Sequence, residues 1–308
     1  MSLKTFQSIK REMAANRHLI HLSDDELHAL QQLLLEMLAD FDALCKRNGL
    51  TYILTGGSAL GAVRHGGFIP WDDDVDVLMP RRDYDRLAAC VEKELSDQYW
   101  VEGLETSPVY DLNLLKFRRK GTRCVEIADT APETAGVYID VFALDDDYDH
   151  KIASFLYGVV NEWLFLMASC VRMYQKKEKL LKYFGNTSVE KSIRLKSAIG
   201  RVFHSRKNPR IWYERCERWS KRIHRPHSGY VAVSAGRGHY FGERYRREEL
   251  LPAADTLFEG HPVKTARNAD YFLRTLFGPD YMQEARQEDR ERHGYTAVDL
   301  GQGETHSV

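Results

Sequence analysis

Four carboxylates fall within five positions of this chain, shortly after a glycine-rich turn. The turn is the Gly-Gly-Ser of residues 56–58, and the acidic residues are Asp72, Asp73, Asp74 and Asp76. Carboxylates this close repel one another unless a cation lies among them, and oxygen ligands suit Mg²⁺. A helix that follows such a turn offers free backbone N–H groups to a phosphate. Together the two features predict a site for a divalent cation and a phosphate group.

The spacing within the acidic run selects two of its carboxylates. Residues 74–79 alternate charged and apolar side chains, which is typical of a strand, and side chains two positions apart project to the same face. Asp74 and Asp76 are therefore candidate metal ligands and catalytic residues. Asp140 is the candidate third member, because a lone carboxylate inside the apolar strand at residues 138–142 is costly to bury without a partner.

The glycine-rich turn supplies the candidate phosphate contacts. Gly57 allows close approach of the backbone, and Ser58 begins a predicted short helix that ends near His65. Arg64 and His65 lie one to two helical turns further on, where they can neutralise phosphate charge. No Gly-Lys-Ser/Thr follows the turn and Gly-x-Gly-x-x-Gly is absent there, so neither a Walker A loop nor a dinucleotide fingerprint is indicated. A solvated acidic loop is the alternative interpretation.

Hydrophobic periodicity predicts the elements that position these residues. A helix over residues 24–48 should begin at a capping box formed by Ser23 and Glu26, and Gly49 should end it. Further helices are predicted at 81–95 and 270–277. Strands are predicted at 50–55, 101–104, 112–118, 137–143 and 230–233, with a hairpin at 258–264.

The overall composition is that of an ordinary soluble globular protein. The 308 residues are 43% hydrophobic and 29% charged, with a formal net charge of −1. We expect an α/β (α+β) fold in three parts: a catalytic core at 1–149, a helical basic region at 150–228, and a C-terminal mixed region at 229–308. The last part should complete the site and end in a loose tail after Gly294.

The motif residues resemble a known family. Ser58 followed by Asp74 and Asp76 is similar to the signature of the nucleotidyltransferase superfamily. The longer string at residues 61–77, GAVRHGGFIPWDDDVDV, resembles the LicD family, which includes bacterial phosphocholine transferases and is related to fukutin-type proteins. The likeness runs over residues 54–144 and is weaker near the C-terminus. It implies a nucleotidyltransferase-like mixed β-sheet core flanked by helices, with the basic region as an insertion.

The resemblance also implies an activity. LicD-like enzymes are expected to move a substituted phosphate from a CDP-linked donor to a hydroxyl of a cell-surface glycan or lipid-linked sugar, releasing CMP. It implies Mg²⁺, with Mn²⁺ as the alternative, held by Asp74, Asp76 and Asp140. Asp140 would accept the proton of the acceptor hydroxyl. Phosphocholine, phosphoethanolamine, glycerol phosphate and ribitol phosphate all remain open as the transferred group, and the acceptor is open too.

Three further side chains are candidates for substrate binding. Trp71 lies beside the carboxylates and could face a quaternary ammonium group. Lys116 is on a strand that can neighbour Asp140, where it would meet the donor diphosphate; a solvated charge at the sheet edge is the alternative. Arg237 lies in the glycine-rich stretch at residues 236–239 and is a candidate phosphate contact.

A basic region and an apolar segment adjoin each other in the middle of the chain. Residues 172–225 hold 17 Lys/Arg and 4 Asp/Glu, a net charge of +13. They follow an apolar run at 152–171, which Asn161 and Glu162 interrupt, so a buried or interfacial helix is favoured over a transmembrane one. The pair could hold an anionic acceptor or touch an anionic membrane; solvated helix faces are the alternative. Five dispersed cysteines favour a reducing compartment, so we expect a cytoplasmic protein, with peripheral contact at the inner face of the membrane as an extension.

Two other function classes compete with this interpretation. A nucleotidyltransferase that modifies a small molecule or a protein would use the same metal site but a different phosphorus atom. A family member without activity, serving as a binding module, is disfavoured because Asp74, Asp76 and Asp140 are all present. Nucleic acid is not an expected partner, since the chain is nearly neutral and carries no recognition motif.

Overall fold

A long amphipathic helix, α1 (Asp24–Asn48), begins and ends where the sequence predicts. The Ser23 hydroxyl accepts the backbone N–H of Glu26, and the Glu26 carboxylate accepts the N–H of Ser23, which completes the capping box. Gly49 ends the helix with a φ of 60°, in the left-handed region that favours glycine. The computed structural model describes residues 12–13, 16–284, 286, 290, 293–301 and 305–307.

Strands and further helices alternate along the rest of the chain. The strands are β1 (Ile53–Leu54), β2 (Asp76–Pro80), β3 (Tyr99–Glu102), β4 (Leu115–Arg119), β5 (Arg123–Glu126), β6 (Tyr138–Asp146), β7 (Tyr230–Ala232), β8 (Arg244–Arg246), β9 (Ala254–Phe258), β10 (His261–Thr265), β11 (Tyr295–Asp299) and β12 (Thr305–Ser307). The helices are α2 (Gly56–Arg64), α3 (Arg81–Glu94), α4 (Lys151–Gln175), α5 (Lys177–Phe184), α6 (Glu190–Phe203), α7 (Ile211–Ser220), α8 (His239–Gly242), α9 (Arg247–Leu250) and α10 (Ala269–Phe277).

Seven strands form a mixed sheet in the order β1-β2-β6-β4-β3, with β7 paired to β6 and β8 to β7. Strands β2 and β6 run parallel, and the other pairs in this sheet are antiparallel. The register places Asp76 opposite Asp140 on one side of β6, and Lys116 opposite Asp140 on the other. Helices flank this sheet, so the mixed α/β fold expected from the sequence is confirmed. Sheet pairing alone therefore gathers three charged residues at one place.

The C-terminal segment is more ordered than the sequence predicts. The stretch after Gly294 was expected to be a loose tail, but Tyr295–Asp299 forms β11 and pairs with β5, a strand that the sequence did not predict. Burial of apolar side chains explains the order, because Tyr295, Ala297 and Val298 are all buried. The predicted hairpin is confirmed as β9 and β10.

One large hydrophobic core unites the first and last parts of the chain. It extends from α1 through β2 and β6, and the C-terminal residues Tyr245, Phe258 and Phe272 belong to it. The helices of residues 150–228 instead contribute to smaller clusters, such as the one that contains Val171 and Trp212. The basic region therefore attaches to the outside of the seven-stranded sheet.

A buried ion-pair network joins the basic region to the sheet. Arg81, at the start of α3, contacts Asp145 of β6 at 2.6 Å and Glu217 of α7 at 2.7 Å. Burial raises the pKa of Asp145 above its usual range, and Arg81 opposes that rise. One guanidinium thus compensates two carboxylates that would otherwise be costly to bury.

Loss of this guanidinium is expected to destabilise the protein strongly. Arg81→Leu removes the ion-pair partner of the buried Asp145 and leaves Glu217 with Lys221 alone, so it should lower the free energy of unfolding by about 3–5 kcal/mol. Arg82→Leu, at the exposed neighbouring position, is the matched control and should change it little. Urea denaturation of both variants measures the difference, and equal stabilities would contradict a structural role for Arg81.

A second buried carboxylate makes stability depend on pH. The Glu243 carboxylate accepts the backbone N–H of Gly238 at 2.6 Å, and burial raises the pKa of Glu243 from 4.5 to about 7. A carboxyl whose pKa is raised by folding destabilises the native state once it ionises. The free energy of unfolding should therefore fall as pH rises between these two values.

Glu243→Gln is expected to remove this pH-dependent loss. Above pH 7 the variant should exceed the wild type in free energy of unfolding by about 3 kcal/mol, and well below the usual glutamate pKa the two should be alike. Denaturation at both pH values measures the difference. Glu248→Gln, at an exposed position of α9, should show no such divergence; a parallel pH profile for Glu243→Gln would contradict the argument.

Candidate active site

The candidate carboxylates meet where β2 and β6 begin. Asp76 is the first residue of β2, and Asp140 is its register partner. The Asp140 N–H donates to the Val75 carbonyl at 3.0 Å, which extends the pairing one residue before β2. Asp74 lies just ahead of the strand, because β2 begins at Asp76, two residues later than the sequence predicted. Its negative charge is near enough to Asp140 to raise the pKa of that carboxyl.

Asp140 lies in surroundings that suit a bound cation. Burial raises its pKa above the usual range, Lys116 opposes the rise, and Glu126 and Asp74 add to it. Its Oδ1 is buried without a hydrogen-bond partner among the described residues, and the Lys116 Nζ lies 3.5 Å away. A carboxylate cluster with an unsatisfied buried oxygen fits the ligand chemistry of Mg²⁺ or Mn²⁺.

Lys116 is buried, so the alternative of a solvated edge charge is wrong. Its Nζ lies 2.7 Å from Glu126 and 3.2 Å from the centre of the Tyr138 ring. Although burial pushes the pKa of Glu126 up, Lys116 and His293 hold it well below its usual range. Sequence reasoning did not identify Glu126, which lies on the unpredicted strand β5. A diphosphate contact by Lys116 stays a prediction.

The glycine-rich turn packs directly against the acidic run. Gly56 has a φ of 54°, and a Cβ there would lie 2.6 Å from the Asp76 Oδ2; a Cβ on Gly57 would collide with Asp72. The Ser58 hydroxyl oxygen accepts the Asp76 N–H at 2.9 Å. The helix begins at Gly56, slightly earlier than predicted. Glycines are therefore needed because carboxylates occupy the space that side chains would fill. Phosphate contacts by Gly57 and Ser58 stay predictions.

Arg64 connects α2 to the C-terminal region. Its Nη1 donates to the carbonyls of Tyr281 and Gln283 at 3.2 and 3.0 Å, and its Nε donates to the His65 Nε2 at 2.9 Å. Asp72 also attracts the guanidinium electrostatically. Arg64 therefore holds the backbone at residues 281 and 283 against α2. Phosphate binding by Arg64 and His65 stays a prediction.

His293 joins the site from the far end of the chain, and sequence reasoning missed it. Its ring Nδ1 lies 2.9 Å from Asp73 and its Nε2 lies 3.6 Å from Asp74. One ligand atom from each of these three residues lies within 4.8 Å of the other two. Within the described part of the chain, the three therefore form a group that could hold a metal ion. Asp73 is placed to orient the imidazole, as carboxylates often do beside metal ligands. A lone histidine 219 positions from Asp74 carries no local sequence signal.

Trp71 presents one ring face to a cation. The side chain is 9% exposed, and the Arg290 guanidinium lies 3.8 Å from the ring centre. Such a face is suited to a quaternary ammonium group, although contact with choline stays a prediction. Arg237 lies 5.6 Å from the ring centre of Phe277, at the end of α10, and its phosphate contact also stays a prediction.

Comparison with known proteins places this site within a described domain. Residues 49–158 match the family model LicD/FKTN/FKRP, nucleotidyltransferase domain. The lipopolysaccharide cholinephosphotransferase LicD of Haemophilus influenzae is 36% identical over 120 residues, which cover 39% of this chain and 44% of that protein. The chain thus aligns with less than half the length of this relative. An uncharacterized protein of Rickettsia prowazekii is 40% identical over 50 residues, covering 16% of this chain and 19% of that protein.

Among solved structures, an antigenic nucleotidyltransferase-like protein from Paracoccidioides brasiliensis aligns over 60% of this chain and 85% of its own. The sequence identity is 11% and the TM-score is 0.24, which is too low to establish a shared fold. The family match rests on sequence, and it contains the glycine-rich turn, the acidic run and Asp140. It supports the resemblance: residues 49–158 of this chain match the nucleotidyltransferase domain model of the LicD/FKTN/FKRP family.

Proposed function

We propose that this chain is a metal-dependent transferase that moves phosphocholine, or a similar substituted phosphate, from a CDP-linked donor to a hydroxyl of a glycan or lipid-linked sugar. The observation that carries the proposal is the pairing of Asp76 with Asp140 across parallel strands, inside the matched domain. The similarity to a relative named as a cholinephosphotransferase supports this choice of transferred group.

Asp74, Asp76 and Asp140 are the residues proposed to hold Mg²⁺ or Mn²⁺. The buried Oδ1 of Asp140, which lacks a hydrogen-bond partner among the described residues, supports this assignment. When bound, the ion would neutralise charge on the donor diphosphate and on the departing CMP. His293 and Asp73 adjoin Asp74 and offer a second ligand group, in which the imidazole nitrogen suits a transition-metal ion better than Mg²⁺.

Residues of this chain would bind the donor and accept the proton of the acceptor hydroxyl. The turn at residues 56–58 and Arg64 would receive the phosphates, and Trp71 would face the choline ammonium. The acceptor oxygen forms a bond to the choline-bearing phosphorus as the bond from that phosphorus to the bridging oxygen breaks, and CMP leaves. Asp140 takes the hydroxyl proton; a raised carboxyl pKa makes it a better base.

Removal of one carboxylate at a time tests the site. Asp76→Asn and Asp140→Asn should each lower the turnover of CDP-choline, measured as CMP release, by at least about 100-fold, because the charges that hold donor and proton are lost. Melting temperatures should stay close to that of the wild type. Asp97→Asn, at an exposed position in the turn between α3 and β3, is the control and should retain activity. Full activity in either site variant would refute the assignment.

The identity of the products separates the proposed reaction from nucleotidyl transfer. With CDP-choline and Mg²⁺ the protein should release CMP, and with CTP it should release no pyrophosphate. Removing the metal with EDTA should stop CMP release, and added Mg²⁺ or Mn²⁺ should restore it. Pyrophosphate release from CTP would favour the nucleotidyltransferase alternative. The same assay with CDP-ethanolamine, CDP-glycerol and CDP-ribitol identifies the transferred group.

A further inference from the structure

The exposed face of helix α4 is almost entirely apolar. Eight side chains are exposed between Lys151 and Leu166, and seven of them are hydrophobic. They recur every three or four residues, so they form one continuous stripe, named here the apolar face. Its members are Ile152, Phe155, Leu156, Val159, Val160, Trp163 and Leu166. A stripe of this length on the outside of a protein indicates an interaction surface.

Neighbouring elements widen the apolar face. Phe155 contacts Phe241, which is itself exposed, with ring centres 5.9 Å apart. At the other end Trp163 contacts Trp212 at 5.4 Å, and Trp212 contacts the exposed Phe203 at 5.8 Å. The patch is therefore broader than a single helix and carries aromatic side chains at both ends.

The opposite face of α4 is held firmly to the protein. The Ser154 hydroxyl donates to the buried Asp147 carboxylate at 2.8 Å, and Arg244 pairs with the same carboxylate at 2.5 Å. Tyr157 stacks on Trp219 with ring centres 5.0 Å apart. By length and composition α4 could cross a membrane, but half of its most apolar window is buried inside the molecule. A helix held to the protein along one side can lie parallel to a membrane surface rather than cross the membrane.

Positive charge borders the apolar face. Arg215 lies 4.5 Å from the Trp212 ring centre, and Arg222 lies 5.3 Å from the Trp219 ring centre. Together with Arg218, which is exposed one turn after Arg215, they form a basic rim along α7 and just beyond its end at Ser220. Each acidic side chain between residues 190 and 228 is partly buried and has a hydrogen-bond or ion-pair partner. No fully exposed acid therefore offsets the rim within those residues.

We propose that the apolar face and the basic rim bind the surface of an anionic lipid bilayer, with α4 lying in the plane of the interface. Apolar side chains would enter the acyl boundary, Trp163 would lie at headgroup depth, and the arginines would contact anionic headgroups. This places the protein at the membrane as a peripheral protein. The inference does not depend on the transfer reaction, because it concerns binding without substrate.

The charge pattern favours a bilayer over a second copy of this chain. Two apolar faces packed against each other about a twofold axis would bring two basic rims into proximity. Like charges at the edge of an interface oppose association, whereas anionic lipids neutralise the same arginines. The basic rim therefore favours binding to an anionic lipid bilayer over binding to a second copy of this chain.

Vesicle sedimentation of the full chain tests the apolar face. The wild type should bind phosphatidylcholine vesicles that contain phosphatidylglycerol. Leu156→Glu should bind them at least about tenfold more weakly, because a charge replaces an exposed leucine that would enter the acyl boundary. Leu257→Glu is the matched control: Leu257 is 58% exposed and Leu156 is 60% exposed, but Leu257 lies on the β9–β10 hairpin. Both variants should keep the wild-type melting temperature.

A second comparison tests the basic rim. Replacing Arg215, Arg218 and Arg222 together with glutamine should weaken binding at low ionic strength by about 100-fold, and vesicles of phosphatidylcholine alone should bind the wild type poorly. Equal binding by wild type and Leu156→Glu, or no vesicle binding by the wild type, would overturn the proposal. So would a wild-type dimer that Leu156→Glu converts to a monomer, if neither form binds vesicles.

Discussion

The structure depends on the burial of negative charge where two parallel strands begin. Pairing of β2 with β6 fixes Asp76 opposite Asp140, and antiparallel β4 brings Lys116 to the other side. Carboxylates at such density are stable only with cations among them. Lys116 supplies one positive charge, yet the pKa of Asp140 remains above its usual range. A divalent cation would relieve the remaining cost of burying this negative charge. The strand pairing that defines the fold therefore also forms the proposed metal site.

Residues distant in sequence complete this arrangement. Arg64 donates to the backbone at residues 281 and 283, and Asp73 contacts His293. Neither contact lies wholly within the matched residues 49–158. The C-terminal segment therefore contacts the acidic run as well as covering the core. The basic helices are joined to the same sheet through Arg81, while the outer side of α4 remains exposed.

Local signals predicted much of this structure, and long-range contacts account for what was missed. The capping box of α1, the hairpin at β9 and β10, and the proximity of Asp140 to Lys116 all follow from neighbouring residues or strand alternation. His293 could not be found, because its partners lie far along the chain, and Glu126 was missed because the strand that holds it was not predicted; each is a single residue without a motif. The tail was misjudged because the alternation in residues 295–299 is short and follows polar sequence.

Asp74, Asp76 and Asp140 together are proposed to bind the metal that holds the donor. The direct test is a crystal structure with Mn²⁺ and CDP-choline, measured at a wavelength where manganese scatters anomalously. An anomalous peak is expected in contact with carboxylate oxygens of all three residues and with the donor diphosphate. A peak held by Asp73, Asp74 and His293 without Asp140, or no peak near these carboxylates, would contradict it.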